Sequence, residues 1–246
     1  MKLSHTDIEG IALSNLTKFY GALTSRVEWV KPVSIESFAE HHLGLRTDYS
    51  RLCDYGNVLS ITAYTDTDIK LRQYLRDAQI HVPADTVLLD ERLKKPLFPP
   101  DKELHRRRFA IAHECSHQIL HRRESAYKQK KYDSRYIGKV VSLSDFLSMY
   151  NWREWQVNAL AAAILMPAKY LALLLGQRRL SIYGNRMNPP DKLALANMSN
   201  RLKVSQTAMT IRLKQLGYAT VLPKDAYYDP TSIECDEDFH MMLMKT

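Results

Sequence analysis

The chain reads as an α+β protein, mostly helical, with a small sheet and a helix-turn-helix-like segment towards its C-terminus. Three observations predict this class. Residues 107–121 and 152–167 carry apolar side chains at helical spacing, while residues 57–64 and 86–90 are short runs of strand-like composition. Residues 191–202 and 206–216 form two further helical patterns parted by the three-residue turn Lys203-Val204-Ser205. With 246 residues, 45% of them hydrophobic, the chain is long enough for one large domain or a domain with an appendage.

Taken in order, residues 7–25 read as an amphipathic helix with Ile8, Ile11, Ala12, Leu16 and Phe19 on its apolar side. Pro32 interrupts the pattern, and Ser34 is placed to cap a short helix reaching about His42. The strand-like runs at 57–64 and 86–90 follow. Phe98-Pro99-Pro100-Asp101 closes a loop and offers a cap to the helix that contains residues 107–121. Residues 122–142 are basic and tyrosine-rich without clear periodicity. The helix at 152–167 is expected to end around Pro167, and Gly217 to stop the last helix. These features divide the chain into an N-terminal helix to residue 30, a core from 31 to 175, a helix-turn-helix-like segment from 176 to 222 and a tail from 223 to 246.

The most specific stretch is His113-Glu114-Cys115-Ser116-His117. Histidines four apart on a helix lie about 40° apart in azimuth and roughly 6 Å apart along the axis, so both imidazoles can reach one ion. Glu114 falls at the edge of that face, where it can serve a water activated by the ion without being a ligand. Phe109, Ala112, Ile119 and Leu120 make a broad apolar stripe, which predicts a buried helix, and buried His and Glu side chains require a partner or a metal. His121 lies about 12 Å along the axis from His113, too far to share one ion on a straight helix. We expect it behind the ligands or at the helix end.

A third ligand is needed, and Glu154 is the candidate. It shares one face of its helix with Asn158, Ala161 and Leu165. Ala159, Ala161, Ala162 and Ala163 are small enough to let another helix approach closely. Asn158 can accept a hydrogen bond from a ligand imidazole and so fix its tautomer. Taken apart from the first motif, the same residues describe a core helix with one capping Glu near its start.

Together, Arg107-Arg108-Phe109-x-Ile111-Ala112-His113-Glu114-x-x-His117-x-x-Leu120-His121 and Glu154-x-x-x-Asn158-x-x-Ala161-Ala162-x-x-Leu165-Met166-Pro167 resemble the ImmA/IrrE family of zinc metallopeptidases. Weaker likenesses at 32–40, 87–91 and 204–217 extend the resemblance over roughly residues 30 to 220. It implies a zincin-like fold spanning the 31–175 core, Zn²⁺ held by His113, His117 and Glu154, and Glu114 as general base. It also implies a protein substrate, a DNA-binding transcriptional repressor, as cut by members of this family. The sequence departs from the family at Cys115-Ser116, where Leu-Gly is usual, and at Leu160, where Phe is frequent. The gap from His117 to Glu154 is also longer than the family's. None of these removes a ligand.

Composition narrows the remaining classes. Three cysteines, Cys53, Cys115 and Cys235, are too few and too scattered for a disulfide framework or a thiolate metal site. Cys115 projects from the far side of its helix, so a buried structural thiol is expected. The N-terminal residues lack the apolar run of a signal peptide, and Leu171–Leu175 is too short to span a bilayer; we expect a cytoplasmic protein with no membrane partner. A net charge of +8 and basic clusters at 106–108, 122–123, 128–131 and 178–179 suit solvated helix ends, or a nucleic-acid or acidic protein partner. Lys203, Gln206, Thr207, Thr210, Arg212 and Lys214 surround the last helix and would carry direct DNA binding. Two rival functions therefore stand beside the peptidase: a DNA-binding regulator, and an antitoxin- or sensor-like interaction protein that keeps the metal without proteolysis. Two His and one carboxylate also suit Mn²⁺ or Fe²⁺. Tyr127, Tyr132 and Tyr136 are candidate donors to a tetrahedral intermediate, and the strand at 86–90 is the candidate edge for an extended substrate.

Overall fold

The structure is a computed structural model that describes residues 3–21, 31–52, 58–72, 77–94, 100–122 and 152–227. It is mixed α and β, with seven helices and small sheets among the described residues.

Helix α1 (His5–Tyr20) starts two residues earlier than the apolar pattern indicates, because Ser4 and Asp7 close a reciprocal capping box. Its buried face is Ile8, Ala12 and Leu16, as expected. The short helix α2 (Ile35–Ser37) passes into a π-helical turn, Phe38–His42. Ser34 sits at the cap position, but its hydroxyl bonds the Ser37 hydroxyl and caps no backbone N–H.

Three strands make the central sheet: β1 (Arg46–Ser50), β2 (Ser60–Ala63) and β5 (Thr86–Asp90) in the order β1-β5-β2. β5 is parallel to β1 and antiparallel to β2. It is therefore central, and the expectation that residues 86–90 present a free edge is wrong. All five of its residues are buried because both of its edges and both of its faces are covered. Val87 and Leu89 face the main core, and Leu88 joins a second cluster with Leu52, Ala63 and Val82. That second cluster lies under the hairpin of β3 (Thr67–Arg72) and β4 (Asp77–Val82), through Ile69 and Ile80.

Helix α3 (Pro100–His121) and helix α4 (Trp152–Leu165) pack along each other over the main-core face of the sheet. Ala159, Ala161, Ala162 and Ala163 are all buried, which gives α3 the close approach that small side chains permit. α4 stops two residues short of Pro167, which opens α5 (Ala168–Leu175). Among the described residues no single helix is long and apolar enough to cross a membrane.

The helix pair near the C-terminus is α6 (Pro189–Leu202) and α7 (Gln206–Gln215), within two residues of its expected bounds. It is bracketed by a parallel pair, β6 (Leu180–Tyr183) and β7 (Ala219–Leu222), that the sequence did not indicate. Leu195, Met198, Leu202, Met209 and Leu213 belong to the same continuous core as α3 and α4. Two buried arginines fasten the segment to the rest. Arg108 of α3 donates to the carbonyls of Val33 and Lys203. Arg212 of α7 donates from Nε to the Met166 carbonyl and pairs through both terminal guanidinium nitrogens with Glu9 of α1.

Arg212 is thus 2% exposed and is withdrawn from the proposed DNA-contacting set. Of that set, Lys203, Gln206, Thr207 and Lys214 are exposed, and Thr210 turns its hydroxyl back to the Gln206 carbonyl. The expected basic clusters are also partly consumed within the fold: Arg107 pairs with Glu36, Arg122 with Asp85 and Arg178 with Asp191.

Two stability predictions arise here. Glu9→Ala leaves the buried Arg212 guanidinium without its carboxylate. Since Glu9 is partly exposed, we expect a loss of about 2 kcal/mol, below the range for a fully buried pair. Arg212→Met in that background removes the stranded charge and should recover part of the loss in urea unfolding. Lys203 ends α6 in the left-handed region at φ 55°, where a Cβ is unfavourable. Lys203→Gly should stabilise by roughly 0.5 kcal/mol once glycine's extra unfolded-state entropy is subtracted; a lower urea midpoint would contradict it.

Candidate metal centre

His113 and His117 project from one face of α3, and Glu154 meets them from the first turn of α4. The two imidazole Nε2 atoms are 3.1 Å apart. Glu154 places Oε2 at 3.4 Å from His113 Nε2 and Oε1 at 3.5 Å from His117 Nε2. An ion bonded tetrahedrally at about 2.05 Å has ligand atoms separated by about 3.3 Å. Each imidazole Nε2 thus has a Glu154 oxygen near that edge length, a different oxygen for each ring. With one ligand atom taken from each residue, the three lie within 4.8 Å of one another, a group that can hold a metal ion among the described residues. All three are partly buried, so they are shielded from much of the bulk water.

Asn158, one turn beyond Glu154, brings Oδ1 to 3.0 Å from His113 Nδ1. The imidazole N–H there donates to the amide oxygen, which aims the Nε2 lone pair of the neutral ring at the cluster. His121 is the last residue of α3. It is buried, its ring 5.6 Å from that of His117, and it lies outside the three-ligand group.

The electrostatics follow from this arrangement. Burial disfavours a charge on His113, but the hydrogen bond its ring donates to the Glu154 carboxylate and the charges of Glu114 and Glu154 outweigh it and raise its pKa to about 9. Burial likewise disfavours the Glu154 carboxylate, yet the hydrogen bonds and charges of the two histidines hold its pKa well below the usual carboxylate range. The metal-free cluster therefore stores an imidazolium–carboxylate pair, which a cation of higher charge can replace. Cys115 is fully buried, and that burial pushes its thiol pKa up, as suits an inert structural residue.

Glu114 is 4% exposed and is not in the ligand group. Its Oε1 accepts a 2.6 Å hydrogen bond from the Ser60 hydroxyl on β2. Sequence reasoning missed Ser60. It stands in the polar half of an alternating run, Ser60-Ile61-Thr62-Ala63, where a polar residue reads as solvent-facing. Tyr127, Tyr132 and Tyr136, along with Cys53 and Cys235, lie outside the described residues. No family model matches the chain, and the search of curated proteins returns no match.

Proposed function

We propose that the protein is a zinc-dependent endopeptidase of the ImmA/IrrE type, with a zincin-like fold, acting on a DNA-binding repressor or another regulatory protein. The observation that carries this reading is the convergence of His113, His117 and Glu154 to within metal-ligand reach of one another, with the carboxylate of Glu114 next in sequence to one ligand and outside the triad. Among the described residues the group has three protein ligands, the number a catalytic zinc site uses when its fourth position is left to water.

His113, His117 and Glu154 would hold the zinc, which when bound would supply an activated water and a Lewis acid for the scissile carbonyl. The residues of the chain supply the rest. Glu114 accepts a proton from the attacking water and returns it to the leaving amine. Asn158 holds the His113 ring in its ligating tautomer. An extended peptide needs a strand edge, and β5 does not have one. β2 is the better choice: it pairs with β5 on one side only among the described residues, and Ser60 at its start touches Glu114. Proline at Val87 or Leu89 would break the central strand rather than test substrate addition.

The repressor as substrate comes from the family likeness of the two helix motifs. The deciding experiment is hydrolysis of candidate repressors by zinc-loaded wild type and by Glu114→Gln, with metal content measured on both. Equal hydrolysis by the two would remove Glu114 from the chemistry.

A further inference from the structure

Ser60 and Glu114 are 54 residues apart, 5% and 4% exposed, and joined by a 2.6 Å hydrogen bond. That length is at the short end for a hydroxyl donating to a carboxylate, the stronger class of hydrogen bond. Ser60 is itself held firmly, since it opens β2 opposite Leu89 of the fully buried central strand. Two residues further on, Thr62 accepts from Gln118 of α3, four residues after Glu114. Two residues of strand advance about 6.6 Å and four residues of helix about 6.0 Å. Strand and helix therefore run in step and are joined at both points. The Thr62–Gln118 bond stitches the elements together. The Ser60–Glu114 bond does that too, and it also fixes the one carboxylate of α3 that the peptidase reading uses as a base.

We propose that Ser60 is a positioning residue for Glu114, binding one carboxylate oxygen so that the other faces the proton it must accept. This rests on the reading of Glu114 as general base. A carboxylate free to rotate spends only part of its time in a productive geometry; one tied to a rigid strand does not. The bond uses Oε1 alone and leaves the second oxygen for the reacting water.

The test needs no knowledge of the natural substrate. Acetohydroxamate chelates a site of this kind and gives up a proton to an adjacent carboxylate, so its affinity reports whether that carboxylate is in place. Binding to the zinc-loaded full chain is measured for wild type, Ser60→Ala, Ser60→Thr, Thr62→Ala, Glu114→Gln and the double variant Ser60→Ala/Glu114→Gln. Zinc content and thermal unfolding are recorded for each. We expect Ser60→Ala to weaken the probe about tenfold with zinc retained, Ser60→Thr to restore it, and Thr62→Ala to leave it near wild type. In the Glu114→Gln background Ser60→Ala should have no further effect, because Ser60 acts only through Glu114. If Ser60→Ala does not fold, Ser60→Cys, near-isosteric with a weak donor, takes its place.

A loss equal to that of Thr62→Ala, or one that persists in the Glu114→Gln background, overturns the proposal and leaves Ser60 as a helix–strand tie. Equal probe affinity in wild type and Glu114→Gln overturns the general-base reading, and the positioning role falls with it. Failure of the wild type to retain zinc removes the metal reading itself, a result separate from either.

Discussion

Glu154→Ala is expected to empty the metal site: purified wild type should keep about one zinc ion per chain through dialysis, and the variant almost none. Removing the carboxylate leaves two imidazoles from a single helix, one ligand short of the minimum for a catalytic site. It also removes the main group that holds charge near His113. Asn158→Ala should fall between the two, since it leaves all three ligands and loses only the hydrogen bond that orients one ring; changes of that kind cost about 10–100-fold in affinity. The graded order, wild type above Asn158→Ala above Glu154→Ala, is the informative result. Full zinc retention by Glu154→Ala would move the third ligand elsewhere in the chain.

The same cluster predicts how binding depends on pH. In the metal-free protein His113 carries a proton up to about pH 9, and a ligating imidazole must be neutral. Zinc binding at pH 7 therefore expels that proton, and log affinity should rise by about one unit per pH unit towards pH 9 and then level off. Folding of the metal-free protein has the opposite sign. The His113 pKa is raised on folding, so its contribution is complete below about 6.5 and is lost as pH rises through about 9. Glu154 is lowered, so its contribution is present above its ordinary value of 4.5 and fades only in strong acid. Calorimetry in two buffers of different ionisation enthalpy measures the released proton. A pH-independent affinity between 7 and 9 would mean that His113 is already neutral before zinc arrives.

What the sequence could and could not disclose follows from the range of each interaction. His113 and His117 converge because helical geometry alone places residues four apart on one face, and Asn158 follows Glu154 by the same rule. That α4 presents Glu154 to α3 could be inferred from its alanines, since small side chains mark close helix contacts. The partner of Glu114 could not. Ser60 reaches it only once β2 has paired with β5 and α3 has settled on the sheet, and nothing within 50 residues of Glu114 signals that. β5 was legible by composition, but its central place depends on β1, whose residues Arg46-Thr47-Asp48-Tyr49-Ser50 have no apolar alternation. β6 and β7 are four residues each and pair only because the α6–α7 hairpin brings them side by side. Arg212 read as a surface cation, and only the packing of α1 against α7 reveals its carboxylate.

The largest effect on function is expected from Glu114→Gln, and its value lies in how little else it changes. Glutamine keeps the length and shape of glutamate, and its carbonyl oxygen can still accept from the Ser60 hydroxyl, so the join between α3 and β2 survives. His113, His117 and Glu154 are untouched, so zinc content should equal that of wild type. What disappears is the capacity to accept a proton. General base catalysis typically contributes about 10²–10⁴ in rate, and here the same group also returns the proton to the amine, so kcat should fall by at least about 10². KM should change little, because a neutral isostere leaves the surroundings of a bound peptide intact. An antitoxin- or sensor-like protein in which the metal only holds the fold predicts a different outcome: Glu114→Gln would alter neither zinc content nor any partner interaction, since Glu114 is outside the ligand triad. One substitution therefore separates catalysis from scaffolding, provided zinc is counted on the same samples in which cleavage is measured.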